Sequence, residues 1–287
     1  VSNRNHLDIG LDYDILTDVT GARVSSLGEF DTRKSGVTLV GCSFTWGHGV
    51  QGRETFASIL SKQMEVPVRN YGMGSYSGVQ ALKVLRKNGV GSKVLVYGFI
   101  SDHLWRNISA CAPSYGPFCL RAPTVYMSAE KDFKIESEVE LDNVKLTKDY
   151  RRISEETFSL SFKYMKLGYN IYRDKIMKFS TGRFQHSVAQ GMELQAMEYV
   201  LQQMQQFAQS QSAKLIVVNL DIGSNSKTFD QLASELQNSG MLFLDASEFD
   251  GYEATDLLIP GDGHPNVKGH FLIATKLRNF FLEKKLI

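Results

Sequence analysis

Three cysteines in 287 residues are too few to build the fold on disulfides. Neither sign of charge dominates: 32 Lys and Arg against 31 Asp and Glu leave a formal +1. That balance argues against a nucleic-acid surface, although a local basic patch stays open. No apolar run is long enough to span a membrane; the longest mixed-apolar stretch, Val94 to Ile100, is strand-sized. Repeats and low-complexity tracts are missing. The six histidines are scattered, and no His-x-x-x-His or Cys-x-x-Cys pair forms, so no metal is expected. The Gly-rich stretch 72–78 lacks the Gly-Lys-Ser/Thr ending of a phosphate loop. No cofactor is expected either.

What is present is the composition of an ordinary globular protein, long enough for a sizeable core. A single domain over 1–287 is the reading, with an irregular lead-in at 1–36 laid against it and an insertion at 103–190. The chain starts at Val1, not Met, which suggests removal of a signal peptide, an anchor or an engineered segment. Cys111 and Cys119 flank a Pro/Gly loop and can close it in an oxidising compartment; two ordinary thiols are the alternative. An exported location, periplasmic or extracellular, is favoured over the cytoplasm.

Strands and helices alternate. Val37 to Val40 is a buried strand by its β-branched run. Val66 to Asn70, Lys93 to Phe99, Leu215 to Leu220 and Met241 to Leu244 are the next four. Helices are expected at Glu54 to Met64, Val79 to Arg86, Gly191 to Ala208, Phe229 to Leu236 and Asn266 to Lys284. The last carries Val267, Phe271, Ala274, Leu277 and Phe281 on its apolar face. The Met stripe at 192, 197 and 204 reads as core filler. Between Asp102 and about Gln190 the rhythm breaks. Thr124 to Met127 and the period-two run Phe133 to Leu141 read as a β-hairpin, followed by helix around Phe158 to Met177. The fold class is therefore α/β: a flavodoxin-like three-layer α/β/α sandwich on a five-stranded parallel sheet, with an inserted β-hairpin and helical segment.

Two loops carry candidate chemistry. The first strand breaks at Gly41 and is followed by Cys42 and Ser43. Near the other end stands Gly261-Asp262-Gly263-His264-Pro265-Asn266. Acyl transfer needs a nucleophile, a base, an orienter and donors for the oxyanion. Ser43 offers the hydroxyl, His264 the base and Asp262 the orienter. Pro265 restricts the backbone of His264, and Asn266 caps the last helix. His48 and His103 are candidates to contact substrate. Taken singly, each loop is a polar turn beside a strand or helix; the pair in one α/β chain points to catalysis.

These residues resemble the SGNH (GDSL-like) hydrolase family. Gly41-Cys42-Ser43-Phe44-Thr45-Trp46-Gly47 is similar to its nucleophile block, usually Gly-Asp-Ser-x-Thr-x-Gly, with Cys42 in place of Asp. Asp262-Gly263-His264-Pro265-Asn266 is similar to its last block, in the shorter Asp-x-His spacing of its polysaccharide O-acetyltransferase-like members. Only because the family's usual spacing is longer, Asp256 is a weaker substitute for Asp262. The resemblance covers 37–102 and 214–284 and implies the same fold. It implies oxyanion donors at the Ser43 amide, at Gly74 or Ser75 after the second strand, and at Ser101, where the family has Asn. A shorter serine side chain still donates. The implied activity is a serine esterase acting on a small-molecule or glycan ester, with acetyl one possible acyl group. An O-acyltransferase to a sugar hydroxyl, or a degenerate hydrolase fold that only binds, are the alternatives. Oligomeric state is not readable.

Overall fold

The computed structural model describes residues 2–6, 11–25, 36–109, 111–112, 120–127, 132–135, 192–224 and 226–287. The expected helix around Phe158 to Met177 and the partner Cys119 lie outside them. The chain divides into two compact units, one of Val1–Leu104 with Met197–Ile287 and one of Trp105–Ala196.

The larger unit is built on five parallel strands: β3 (Val37–Gly41), β4 (Val68–Asn70), β5 (Val94–Phe99), β10 (Lys214–Asn219) and β11 (Leu242–Asp245). Their spatial order is β11-β10-β5-β3-β4. In sequence rank this is 2-1-3-4-5 read from the β4 edge, the doubly wound order with its reversal between β3 and β5. The central strands are buried on both faces, which is why they read as continuous apolar runs. Val37, Leu39, Val94, Val96, Ile216 and Val218 belong to one core cluster. They pack with Phe56 and Leu60 of α2 (Phe56–Met64) and with Ile273, Leu277 and Phe281 of the last helix, α8 (Val267–Glu283). The alternate residues, among them Val40, Leu95, Tyr97, Leu215 and Val217, point to the other face. There α3 (Gly78–Asn88) lies against β3. The sheet thus has helices on both faces.

Caps fix the helix starts. Thr55 Oγ1 accepts the N–H of Ser58, and Ser77 Oγ accepts that of Gln80, whose side chain returns the bond. Asn266 Oδ1 accepts the N–H of Gly269. Helix α5 (Met192–Ser210) buries Met197 and Met204 as core residues. Helix α6 (Lys227–Glu235) precedes β11, and the one-turn α7 (Ala254–Leu257) follows it.

Two expectations need correction. The lead-in is not wholly irregular: β1 (Ser2–His6) and β2 (Leu11–Ile15) pair antiparallel, Ser2 opposite Ile15. Leu11, Tyr13 and Ile15 alternate with two aspartates, a short period-two signal set among polar residues. The second correction concerns the first turn of α8, where Val267 and Phe271 are 47% and 51% exposed while His270 is fully buried. Gly269 lets that turn approach the chain at Leu257, since a Cβ there would lie 2.5 Å from the Leu257 carbonyl oxygen. This seats His270, not Phe271, on the core face.

Helix α4 (Asp102–Ile108) starts in the larger unit and runs into the smaller one. In the smaller unit Cys111–Ala112 (β6) pairs with Leu120–Arg121 (β7), and Val125–Met127 (β8) pairs antiparallel with Phe133–Ile135 (β9). The last pair is the expected hairpin over its described residues.

Candidate active site

Ser43 opens a one-turn helix, α1 (Ser43–Trp46), directly past the C-terminal end of β3. As the first helical residue, its N–H has no intrahelical acceptor. The turn fits tightly onto the sheet because its neighbours have no side chains. Gly41 and Gly98 are partners in adjacent strands, and a Cβ on either would lie within 2.2 Å of Thr45 Oγ1. From β4, the buried Asn70 donates its amide to the Thr45 carbonyl at 2.8 Å and accepts the Gly72 N–H at 2.9 Å. Cys42 is fully buried under the turn.

His264 lies on the loop before α8. A bridge joins Leu258 to Pro265, and the Asn266 side chain donates to the carbonyls of Asp256 and Leu258. His264 Nε2 stands 2.7 Å from Ser43 Oγ, and His264 Nδ1 stands 2.6 Å from Asp262 Oδ1. The same carboxylate oxygen accepts the His264 backbone N–H at 3.1 Å. An aspartate two residues ahead of its histidine thus folds back on it as an Asx turn, which places carboxylate and ring together. Asp256 is engaged elsewhere, accepting the Glu253 N–H as a local cap. Phe44 packs on the His264 ring, centroids 4.7 Å apart.

Burial alone would raise the Asp262 pKa. The His264 ring hydrogen bond, its charge, its backbone N–H and the charge of His48 outweigh that, and hold the carboxyl below the usual carboxylate range. Asp262 is therefore an anion at neutral pH, able to orient the imidazole and stabilise its cation.

His48 also joins this group. Its Nε2 lies 3.6 Å from the second Asp262 oxygen, its Nδ1 lies 2.9 Å from the Tyr13 hydroxyl, and its ring centroid is 4.5 Å from that of His264. The loop carrying it is pinned by Arg23, a buried cation whose guanidinium donates to the carbonyls of Trp46, Gly47 and Val50. It also lies over the Trp46 and Tyr13 rings. Burial, partly offset by Tyr13, lowers the Arg23 pKa to about 10, so it stays charged at neutral pH.

His48, Asp262 and His264 offer donor atoms within 4.8 Å of one another, a His2Asp set suited to a metal. It is assembled from two distant loops, so spacing rules on the sequence miss it. The contacts above already engage these donors with Ser43, Tyr13 and one another; a metal on His264 would break its link to Ser43 if bound at Nε2 or to Asp262 if bound at Nδ1.

No family profile matches this sequence, and no curated protein matches it. Solved structures do. A psychrotrophic esterase from Pseudoalteromonas sp. is 11% identical over 87% of this chain and 98% of its own, with a TM-score of 0.46. An acetylxylan esterase from Geobacillus stearothermophilus is 14% identical over 88% and 94%, at 0.45. A lipolytic protein of the G-D-S-L family from Desulfitobacterium hafniense is 12% identical over 85% and 97%, at 0.42.

The other sequence candidates fall differently. His103 is not presented to a cleft: it is fully buried, 2.6 Å from the Tyr97 hydroxyl and edge-on to Phe99. Helix α4 turns it inward one residue past Asp102. Gly74 and Ser75 are the middle of a turn closed by the Tyr76 N–H on the Met73 carbonyl. Ser75 takes the left-handed φ of +64° and Gly74 does not. Ser101 follows β5 at the same sheet edge as Ser43, and its backbone N–H is spent on Asp221 Oδ2 at 3.0 Å. Only its hydroxyl is left to offer. Tyr13, Arg23 and Asn70 were not singled out by the sequence. The period-two run around Tyr13 was the one signal available for the first of them.

Proposed function

We propose that this chain is a serine hydrolase that cleaves an acyl ester, with Ser43 as nucleophile, His264 as general base and Asp262 as orienter. The observation that carries this reading is the unbroken chain from Ser43 Oγ to His264 Nε2 at 2.7 Å and from His264 Nδ1 to Asp262 Oδ1 at 2.6 Å. Both distances are those of formed hydrogen bonds. The same contacts weigh against the degenerate, binding-only alternative, which would gain from a His264 out of reach of Ser43, or from Ser75 and Ser101 pointing away from it.

In this mechanism the Ser43 oxygen attacks the ester carbonyl carbon while His264 Nε2 takes the hydroxyl proton. The tetrahedral oxyanion is met by the Ser43 N–H, with the 74–75 turn and the Ser101 hydroxyl as further proposed donors. Its collapse breaks the ester C–O bond, and His264 returns the proton to the departing alkoxide. Water, deprotonated by His264, then releases the carboxylic acid and restores Ser43. A sugar hydroxyl in place of that water would give acyl transfer from the same intermediate. The proposed substrate is a small-molecule or glycan ester, with acetyl esters tried first.

The test is labelling by a fluorophosphonate probe read by intact mass, alongside hydrolysis of p-nitrophenyl acetate. One adduct on wild type and none on Ser43→Ala is the expected result. A folded wild-type protein that takes no adduct between pH 6 and 9 overturns the reading.

A further inference from the structure

The Asp262 carboxylate has a histidine beside each oxygen. His264 holds Oδ1, and His48 faces Oδ2 with its Nε2 at 3.6 Å. Catalysis of the proposed kind uses only the first. The second is held in place by three independent devices. The His48 N–H bonds to the Ser43 carbonyl at 3.0 Å, Arg23 ties down the carbonyls on either side of it, and the Tyr13 phenol meets its Nδ1 at 2.9 Å. A neutral imidazole carries one proton on one nitrogen. A carboxylate can only accept, so the productive tautomer has the proton on Nε2 and the Nδ1 lone pair accepting from Tyr13. At 3.6 Å this contact is longer than a formed hydrogen bond; catalytic contacts are often long in the unliganded protein and tighten when substrate binds.

We propose that His48 is a positioning residue that braces the second oxygen of Asp262, the one His264 leaves unheld, and that Tyr13, from the lead-in strand β2, selects its tautomer. The proposal rests on the serine hydrolase reading. It makes the lead-in part of the site through the Tyr13 phenol and the Arg23 guanidinium. It also accounts for a second ring tilted at 47° against His264, centroids 4.5 Å apart, that the proton transfers do not require. The consequence is kinetic: a carboxylate held on both sides keeps the His264 ring in line with Ser43, so loss of the brace falls on kcat and not on KM.

The test compares His48→Phe, which fills the space without a ring N–H, with His48→Gln, whose amide can donate to Asp262. Tyr13→Phe is made alone and together with His48→Phe. With p-nitrophenyl acetate, His48→Phe is expected to lower kcat roughly 10- to 100-fold at KM within about twofold, and His48→Gln to recover most of it. Tyr13→Phe should lower kcat less and add nothing to His48→Phe, as for two residues acting in one chain. A second measurement needs no substitution: 15N-histidine NMR of the wild type at pH 8 should show His48 neutral and protonated at Nε2. Unchanged kcat in His48→Phe, a rise in KM alone, equal failure of Gln and Phe, or a His48 protonated at Nδ1 would each overturn the brace. These outcomes are separate from failure of the hydrolase reading, which shows as no fluorophosphonate adduct on wild type and leaves the tautomer measurement intact.

Discussion

Asp262 Oδ1 accepts two hydrogen bonds from one residue, the backbone N–H of His264 at 3.1 Å and its ring Nδ1–H at 2.6 Å. An amide oxygen can accept both, so Asp262→Asn should keep the loop and the fold. What it removes is the negative charge opposite the imidazolium and the certainty of its tautomer. We predict a fall in kcat of roughly 10²–10⁴-fold with Tm shifted by only a few degrees. Steady-state kinetics beside a thermal melt check it. A variant that keeps half of its kcat would mean Asp262 orients nothing.

Much of this site was legible as chemistry before it was visible as geometry. Gly41-Cys42-Ser43 sits where a β-branched run breaks, and Asp262-Gly263-His264 sits just ahead of an amphipathic helix. Each residue type is one that acyl transfer requires. The sheet was legible for a related reason: strands buried on both faces leave no polar interruptions, so Val37 to Val40 and Val94 to Phe99 stand out. The brace was not legible. Tyr13 and Arg23 act through tertiary closure across 35 and 24 residues, onto His48 and the Gly47 carbonyl respectively. No local period encodes such a contact. Ala274, Leu277 and Phe281 of α8 are buried as expected, but its first turn was misjudged because the residue on the core side there is a histidine, and a polar residue at a buried position breaks the pattern used to find it.

Ser75 holds a φ of +64°, while its neighbour Gly74 does not have a positive φ and has open space where a Cβ would stand. The third residue of such a turn is the place where glycine is favoured. A residue with a Cβ there costs about 1 kcal/mol relative to glycine, partly offset by the greater freedom of glycine in the unfolded chain. Ser75→Gly should therefore leave stability unchanged or raise it by up to about 1 kcal/mol in urea unfolding. If the 74–75 turn donates to the oxyanion through its backbone, kcat should survive the change within a few fold. A large loss of kcat with stability intact would assign the role to the Ser75 hydroxyl.

His270 is buried beside the site, its Nδ1 accepting the Phe56 N–H at 3.2 Å. Burial, then the charges of Arg23 and His264, lower its pKa to about 3. The unfolded chain binds this proton below about pH 6.5 and the folded chain does not, so stability falls as pH drops through that window. Between pH 6.5 and 4 the loss from this one group is on the order of 3 kcal/mol. His270→Gln, which can still accept the Phe56 N–H, should flatten the pH dependence of unfolding over that range. An unchanged slope would show that His270 is protonated in the folded protein.

Glu198 on α5 and Glu235 on α6 present the opposite sign. Burial, then the hydrogen bond to Glu235 and that residue's charge, raise the Glu198 pKa to about 7. The hydrogen bonds from Glu198 and Gln231 meanwhile lower that of the fully exposed Glu235. One proton is shared by the pair: Glu198 donates and Glu235 accepts. The folded protein keeps this proton above pH 4.5 where the unfolded chain releases it, so the pair's contribution is full at low pH and fades as pH rises towards 7 and beyond. Glu198→Gln retains a donor to Glu235 and removes the titration. Its Tm should match wild type near pH 5 and exceed it by on the order of 2–4 °C at pH 8. Melts at those two pH values decide the matter. An equal shift at both would place the effect in packing, and no shift at pH 8 would mean that Glu198 is ionised and solvated there at no cost to the fold.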